Sequence, residues 1–312
     1  MTSQPVRFVH RGHISQVDGL PITTTVLQWL REQTHSCGTK EGCAEGDCGA
    51  CTVVVAELAD RAGNDADAAV GSGAVRVGPL RLRPVNACIR FLPTLHGKAL
   101  LTVEDLQALA PGQPLHPVQQ AMVDCHGSQC GFCTPGFVMS LYASYEHHQG
   151  AGTRPTRQQL ADDLSGNLCR CTGYRPILDA GLAMFEAPAA RLDPEPIAAL
   201  LRKIAADTPD PYVHAAPNPA YPQDKGQPRI DHFIAPRSPE TFAAARAERS
   251  QARLLAGATD IGLWTNKQFR DVGDLLFIGD VAGLTTRERD STTLRIGAAA
   301  PLQDAWAALV QT

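Results

Sequence analysis

"CAEGDCGAC", residues 43–51, places three cysteines, Cys43, Cys48 and Cys51, within nine positions. A loop that wraps a small inorganic core must aim several sulfurs inward while its amides face the core. The C-x4-C-x2-C spacing suits a [2Fe-2S] cluster in this way. Gly42, Gly46 and Gly49 permit the close backbone approach and left-handed turns such a loop needs. Three thiolates leave the set one short, and the next cysteine along the chain is Cys88 in "PVNACIR". The competing reading is structural zinc, whose usual signature of paired C-x2-C knuckles fits one glycine-rich loop poorly.

A second set follows. Cys130 and Cys133 form C-x2-C in "GSQCGFCTPG", and Cys169 and Cys171 form C-x-C in "GNLCRC". The flanking pattern is helical. "PVQQAMVD" precedes the first pair, and Thr134-Pro135 offers an N-cap and first helical position for "FVMSLYASYEHH". Thr156 with Gln159 predicts a capping box for "RQQLADDLS", and Pro176 opens "ILDAGLAMFE". Four short helices in two antiparallel pairs would bring both cysteine corners to one end of a compact bundle. Two plus two thiolates suit a diamond-shaped [2Fe-2S] core, and C-x-C is uncommon in structural zinc sites. Cys37 and Cys125 remain, and are expected to be free thiols.

The rest of the chain frames these motifs. Its 312 residues are 44% hydrophobic and 19% charged, the balance of a soluble globular protein with two or three domains. The net charge of −4 offers no basic excess for nucleic acid. No apolar run suggests a membrane span, and "MTSQPVRFVH" does not read as a secretory signal. The expected compartment is the cytoplasm, where tightly spaced cysteines point to metal or redox chemistry rather than disulfides. "VRFVHRG" and "PITTTV" around Asp18-Gly19 predict a hairpin, "VLQWLREQ" a helix, and "CTVVVAEL" a strand. "RAGNDADAAVGSGA", 61–74, reads as a polar insert before a strand near Val75 to Leu82. Residues 187–228 are proline-rich and predict an extended linker with one helix at "PIAALLRKIA". An α/β pattern then begins: "SPETFAAARAE" helical, "ARLLAG" a strand, "TDIGLWTNK" helical, "DLLFIGD" and "TTLRIGAAA" strands, and "PLQDAWAALVQT" helical.

Four segments, "GCAEGDCGACTVVV", "NAC", "GSQCGFCTPGFVMSLY" and "GNLCRCTGYRPIL", resemble in order the two iron–sulfur domains of the molybdenum hydroxylases. That family includes xanthine dehydrogenase, aldehyde oxidoreductases and carbon monoxide dehydrogenase. "RLLAGATDIGLW" is similar to the family's flavin loop, whose backbone cradles the FAD pyrophosphate. A strand, a Gly-Ala-Thr-Asp turn and a helix start would indeed leave amides free for an anion. The resemblance implies Leu254, Leu255, Ala256, Gly257, Ala258, Thr259, Asp260 and Ile261 as FAD contacts, and Gln129 as a hydrogen-bonding residue toward a molybdopterin. Gln129 capping a loop amide is the plainer alternative.

The expected architecture is α+β and multidomain. It comprises a β-grasp ferredoxin-like domain over 1–108, a four-helix [2Fe-2S] domain over 109–186, a linker over 187–228, and the N-terminal part of an α/β FAD-binding domain over 229–312. Iron–sulfur and flavin segments on one chain resemble the small subunit of bacterial xanthine dehydrogenases. The implied partner is a molybdopterin-binding large subunit, in a heterotetramer of two small and two large subunits, with NAD as acceptor. The resemblance implies that the partner oxidises hypoxanthine or xanthine to urate and that electrons pass through the two clusters to FAD and NAD. An aldehyde or other N-heterocycle hydroxylase is the alternative, and an iron–sulfur redox sensor or zinc-stabilised binding module the alternative of another class. No second FAD motif of the Gly-Gly-Asn type appears before Thr312, so the sequence is expected to stop within the FAD domain. Where the family pattern is often "CGEGGCGAC", this chain has Ala44 and Asp47. Ala44 is expected to avoid the left-handed region, which would cost about 1 kcal/mol.

Overall fold

The computed structural model describes residues 2–60, 73–222 and 226–310, so most of the insert expected over 61–74 lies outside the described residues. The first domain is a sheet of β1 (Val6–His10), β2 (His13–Val17), β3 (Thr52–Leu58), β4 (Val75–Val77), β5 (Leu80–Asn86) and β6 (Ala99–Leu101). Their spatial order is β2-β1-β6-β3-β5-β4, with β1 and β6 parallel and the other neighbours antiparallel.

Two strand expectations are corrected. The first hairpin turns at Arg11-Gly12, not at Asp18-Gly19, with His10 opposite His13. Both turn residues have positive φ, 51° and 73°, the conformation whose twist matches a two-residue hairpin. The single strand expected near Val75 to Leu82 is two strands, β4 and β5, folded about Gly78-Pro79.

β3 explains how this sheet is covered. Val53 and Val55 share one core with Val26, Leu27, Trp29 and Leu30. Those residues come from α1 (Val26–Gln28) and the π-helical turn Trp29–Gln33. Val54 and Ala56 point to the other face, into a core with Phe137, Leu141 and Leu201. The alternation is the period of two that a doubly covered strand requires.

The helices of the second face are α2 (Pro117–Asp124), α3 (Thr134–Ala151), α4 (Arg157–Asp163) and α5 (Arg175–Ala183). The Thr156–Gln159 capping box forms as expected. Thr134 is not an N-cap. Cys133 already has helical φ and ψ, so the helix starts inside the cysteine turn, and the Thr134 hydroxyl donates to Ser128 Oγ at 2.8 Å.

Residues 187–228 are more structured than a linker. α6 (Pro194–Ala206) packs on β1 and β3, and Tyr212–Pro222 is a strand, β7, of the third domain's sheet. β7 pairs antiparallel with β8 (Pro228–Ala235), which runs parallel to β10 (Leu275–Phe277), itself parallel to β9 (Arg253–Leu255). α7 (Pro239–Glu248) lies between β8 and β9 in the chain, and α8 (Ile261–Asn266) between β9 and β10. A small hairpin of β11 (Arg287–Arg289) and β12 (Leu294–Ile296) precedes α9 (Leu302–Val310). Among the described residues no helix is long and apolar enough to cross a membrane.

The first and third domains share cores. Ile22 and Phe91 pack with Phe233, Leu255 and Leu275, while Leu263 of α8 packs into the first domain's cluster beside Cys88 and Ile89. A buried ion pair adds to this seam. Lys98 Nζ lies 3.0 Å from Asp280 Oδ1 and 3.5 Å from Glu57 Oε2, and Arg81 also donates to Glu57. Burial raises the Glu57 carboxyl pKa, but Lys98 and Arg81 outweigh it and hold it at about 2. Replacing Lys98 by Met leaves Asp280 and Glu57 without this cation. The expected loss is about 3 kcal/mol of stability, read by thermal unfolding. A loss below about 0.5 kcal/mol would show that the pair adds nothing to the seam.

Candidate functional site

The loop over 43–51 leaves α1 and its π turn and returns into β3. Cys43 Sγ accepts the amides of Asp47 and Cys48, each at 3.4 Å. Burial pushes the Cys43 thiol pKa up, yet the amides of Cys48, Glu45 and Asp47 outweigh it and hold the thiol below its ordinary value. Donors ringing a sulfur in this way favour the thiolate that a metal requires. Cys51 and Cys88 are both buried, with sulfurs 3.2 Å apart. Their contact pulls Cys51 down and pushes Cys88 up, because one thiolate accepts the other's proton.

Ala44 overturns its expectation: its φ is +56°. The turn that starts the loop requires the left-handed region at this position, and the chain tolerates the strain. Ala44→Gly is therefore expected to raise stability by about 0.5–1 kcal/mol. A fall in melting temperature would mean that the Ala44 methyl packs usefully.

The second set lies at the ends of the helices that flank it. Cys130 contacts Cys171, and Cys133 contacts Cys169. Cys169 Sγ is 3.2 Å from Thr172 Oγ1, and its own amide donates to the Tyr174 hydroxyl. Burial, then the neighbouring Cys169, push Cys133 up to about 12. Cys130 and Cys171 are exposed, as are Gln129, Phe132, Leu168 and Tyr174. Cys37 is exposed and Cys125 half-buried at the end of α2; neither joins either set.

Among the described residues no three His, Cys, Asp or Glu side chains close on a point as they do around a single metal ion. The thiols meet in pairs instead: Cys43 with Cys48, Cys51 with Cys88, Cys130 with Cys171, and Cys133 with Cys169. Each iron of a two-iron rhomb takes two bridging sulfides and two thiolates. A set of four thiols arranged as two pairs therefore fits that group.

Three asparagines that sequence reasoning missed hold the 43–51 loop. Asn86 Nδ2 donates to Gly46 O at 2.5 Å. Asn167 Nδ2 donates to Gly49 O at 3.0 Å, while Asn167 Oδ1 accepts from Ser140 Oγ at 2.7 Å. Beside it, the Leu168 amide donates to Cys48 O at 3.0 Å. The segment carrying Cys169 thus touches the first loop directly. From the third domain, Asn266 Nδ2 donates to Cys88 O at 2.7 Å and Ala44 O at 3.2 Å. The positions of Asn86 in "NAC" and Asn167 in "GNLCRC" offered a signal in the sequence; Asn266 offered none.

Leu254 and Leu255 end β9, and the turn Ala256–Asp260 leads into α8 at Ile261. The turn thus sits at the carboxyl end of a parallel strand, where open α/β sheets bind ligands. Leu255, Ala258 and Ile261 are buried, whereas Leu254, Gly257, Thr259 and Asp260 are exposed. A side chain at Gly257 would stand almost in the open, its nearest neighbour being Thr259 Cγ2 at 4.0 Å. Ala258 has φ +64°, so this turn, like the cysteine loop, keeps a strained alanine. The backbone here is accessible to an anion.

Known families divide the chain in the same order. Residues 14–77 match the 2Fe-2S iron-sulfur cluster binding domain, 102–182 the [2Fe-2S] binding domain, and 228–312 the FAD binding domain in molybdopterin dehydrogenase. The chain therefore carries two [2Fe-2S] domains and a FAD-binding domain of the molybdopterin-dehydrogenase type. It is 43% identical over 178 residues to "Xanthine dehydrogenase" of Drosophila pseudoobscura pseudoobscura, covering 57% of this chain and 12% of that protein. It is 46% identical over 158 residues to "Aldehyde oxidase 1" of Cavia porcellus, covering 51% of this chain and 10% of that one. This chain thus spans about a tenth of the length of these relatives. Among solved structures, quinoline 2-oxidoreductase from Pseudomonas putida 86 is 26% identical with a TM-score of 0.43, covering 64% of this chain and 96% of that one.

Proposed function

We propose that this chain is the electron-transfer portion of a xanthine dehydrogenase-type molybdenum hydroxylase, with Cys43, Cys48, Cys51 and Cys88 holding one [2Fe-2S] cluster and Cys130, Cys133, Cys169 and Cys171 the other. When bound, the two clusters and FAD supply the redox chemistry, taking electrons from a molybdopterin centre on a partner subunit and delivering them to NAD. The residues' own work is positioning and electrostatics. Amides around Cys43 favour its thiolate. The turn over 256–260, with Gly257 open, offers backbone donors to a pyrophosphate. Exposed Gln129, Cys130 and Cys171 form the end that faces the molybdopterin-binding large subunit, and Phe132, Leu168 and Tyr174 give that end an apolar rim. Two small and two large subunits would complete the assembly.

One observation carries the order of the relay. The 43–51 loop is bonded on one side by Asn167 and Leu168, next to Cys169, and on the other by Asn266, from the helix that follows the flavin turn. The first cysteine set therefore sits between the second set and the flavin loop. A second reading, an aldehyde or N-heterocycle hydroxylase, is favoured by the similarity to aldehyde oxidase. It assigns the same work to every residue of this chain and differs only in the substrate of the partner. Metal and flavin analysis of the purified full-length gene product tests the common reading. About four iron and four acid-labile sulfide per chain, with FAD, are expected; zinc in their place, or no flavin, would refute it.

A further inference from the structure

Asn266 occupies an unusual position for a residue outside both cysteine sets. It is the last residue of α8, the helix that begins where the flavin turn ends. Its amide nitrogen reaches two carbonyls at once, those of Cys88 and Ala44. A carboxamide NH2 group has two protons to give, and two carbonyl acceptors fix which end of the side chain points there. The two acceptors belong to separate segments. Ala44 lies in the loop of three cysteines, and Cys88 lies in the turn that supplies the fourth. One side chain of the third domain therefore spans both halves of the first set.

The backbone is drawn equally close. A Cβ at Gly262 would come within 2.7 Å of Ile89 O and 2.8 Å of Ile89 Cβ, so α8 approaches the residue after Cys88 to within the width of a methyl group. Ile89 in turn fills the space in front of Gly46. Just past the end of α8, Lys267 Nζ lies 3.8 Å from Glu45 Oε2. Flavin turn, α8, Ile89 and the cysteine loop form one packed path.

We propose that Asn266 is a positioning residue for electron exchange between the first cluster and the flavin. It ties Cys88 and Ala44 to the flavin helix, so that the turn over 256–260 and the Cys88 segment move together, and it lends partial positive charge to the Cys88 peptide. The proposal rests on the cluster and flavin assignments above.

The test uses full-length protein carrying Asn266→Ala or Asn266→Asp, with iron, sulfide and flavin content measured first. In Asn266→Ala the donor is lost, and the reduction potential of the first cluster should move to more negative values. Asn266→Asp keeps the shape but sets a negative charge against two carbonyls, and a nearby negative charge opposes an added electron. Its shift should be larger, moving the electron-sharing equilibrium toward the flavin by about tenfold or more. The second cluster's EPR signal and potential should stay in place in both variants. Gly262→Ala, which pushes the same helix away from Ile89, should perturb the first-cluster signal with Asn266 intact. A role in filling space alone predicts the reverse order, with Asp silent and Ala affected. That order, or an unmoved first-cluster signal in protein that holds both clusters, would overturn the inference alone. Protein without iron would overturn the electron-transfer reading and this inference with it.

Discussion

Replacing Cys88 with alanine is expected to remove one of two cluster EPR signals and leave the other unchanged. Iron should fall from about four to about two per chain. Cys88 is 2% exposed and its sulfur lies against that of Cys51, so its replacement removes one thiol of a buried pair. The second set lies on other helix ends, and its thiols pair among themselves. The change therefore has a sharp boundary. Survival of both signals would show that Cys88 is not the fourth ligand. Loss of both would show that the sets do not form separate sites.

The second large effect concerns the join between the two cysteine-bearing domains. Gly49 has φ +68°, and a Cβ there would strike Gly166 O and the Asn167 side chain. Gly136 of α3 closes the same seam from the other side, since a Cβ on it would strike Gly49 O. Gly49→Ala combines a left-handed alanine, at about 1–2 kcal/mol, with overpacking of a further 1–3 kcal/mol. We expect a loss of about 2–5 kcal/mol in thermal or denaturant unfolding, with the Asn167 and Leu168 bonds to the loop broken first. A change below about 0.5 kcal/mol would mean that the two domains are not held at this distance. The contrast with Ala44→Gly is instructive. Both positions are left-handed, but only Gly49 is pressed against another backbone.

That the thiols gather in two sets was legible because tight cysteine spacing survives in one dimension. The Thr156–Gln159 capping box was legible for the same reason, since donor and acceptor lie three residues apart. Features decided by distant partners were not. The Arg11-Gly12 turn lacks the Asn-Gly or Asp-Gly signal, so the nearby Asp18-Gly19 drew the expectation instead. β7 was hidden by Pro217, Pro219 and Pro222. The sheet order explains the tolerance: β7 is an edge strand, where proline removes no essential ladder bond. Ala44 was expected to follow the steric rule for L-residues, and nothing in the sequence marked Ala258 as left-handed. The folded loops override that rule at both positions. Asn266 gives no sign in "LWTNKQ"; its partners, Cys88 and Ala44, are 178 and 222 residues away.

The central claim is that the 43–51 loop is an obligatory link between the second cysteine set and the flavin turn. The most direct measurement is rapid-mixing reduction of the assembled full-length enzyme by its substrate, following flavin bleaching and the second cluster's EPR signal in wild type and Cys88→Ala. The account predicts that in the variant the second cluster still becomes reduced while the flavin stays oxidised on the wild-type timescale. Flavin bleaching at the wild-type rate, with the first cluster absent, would contradict it.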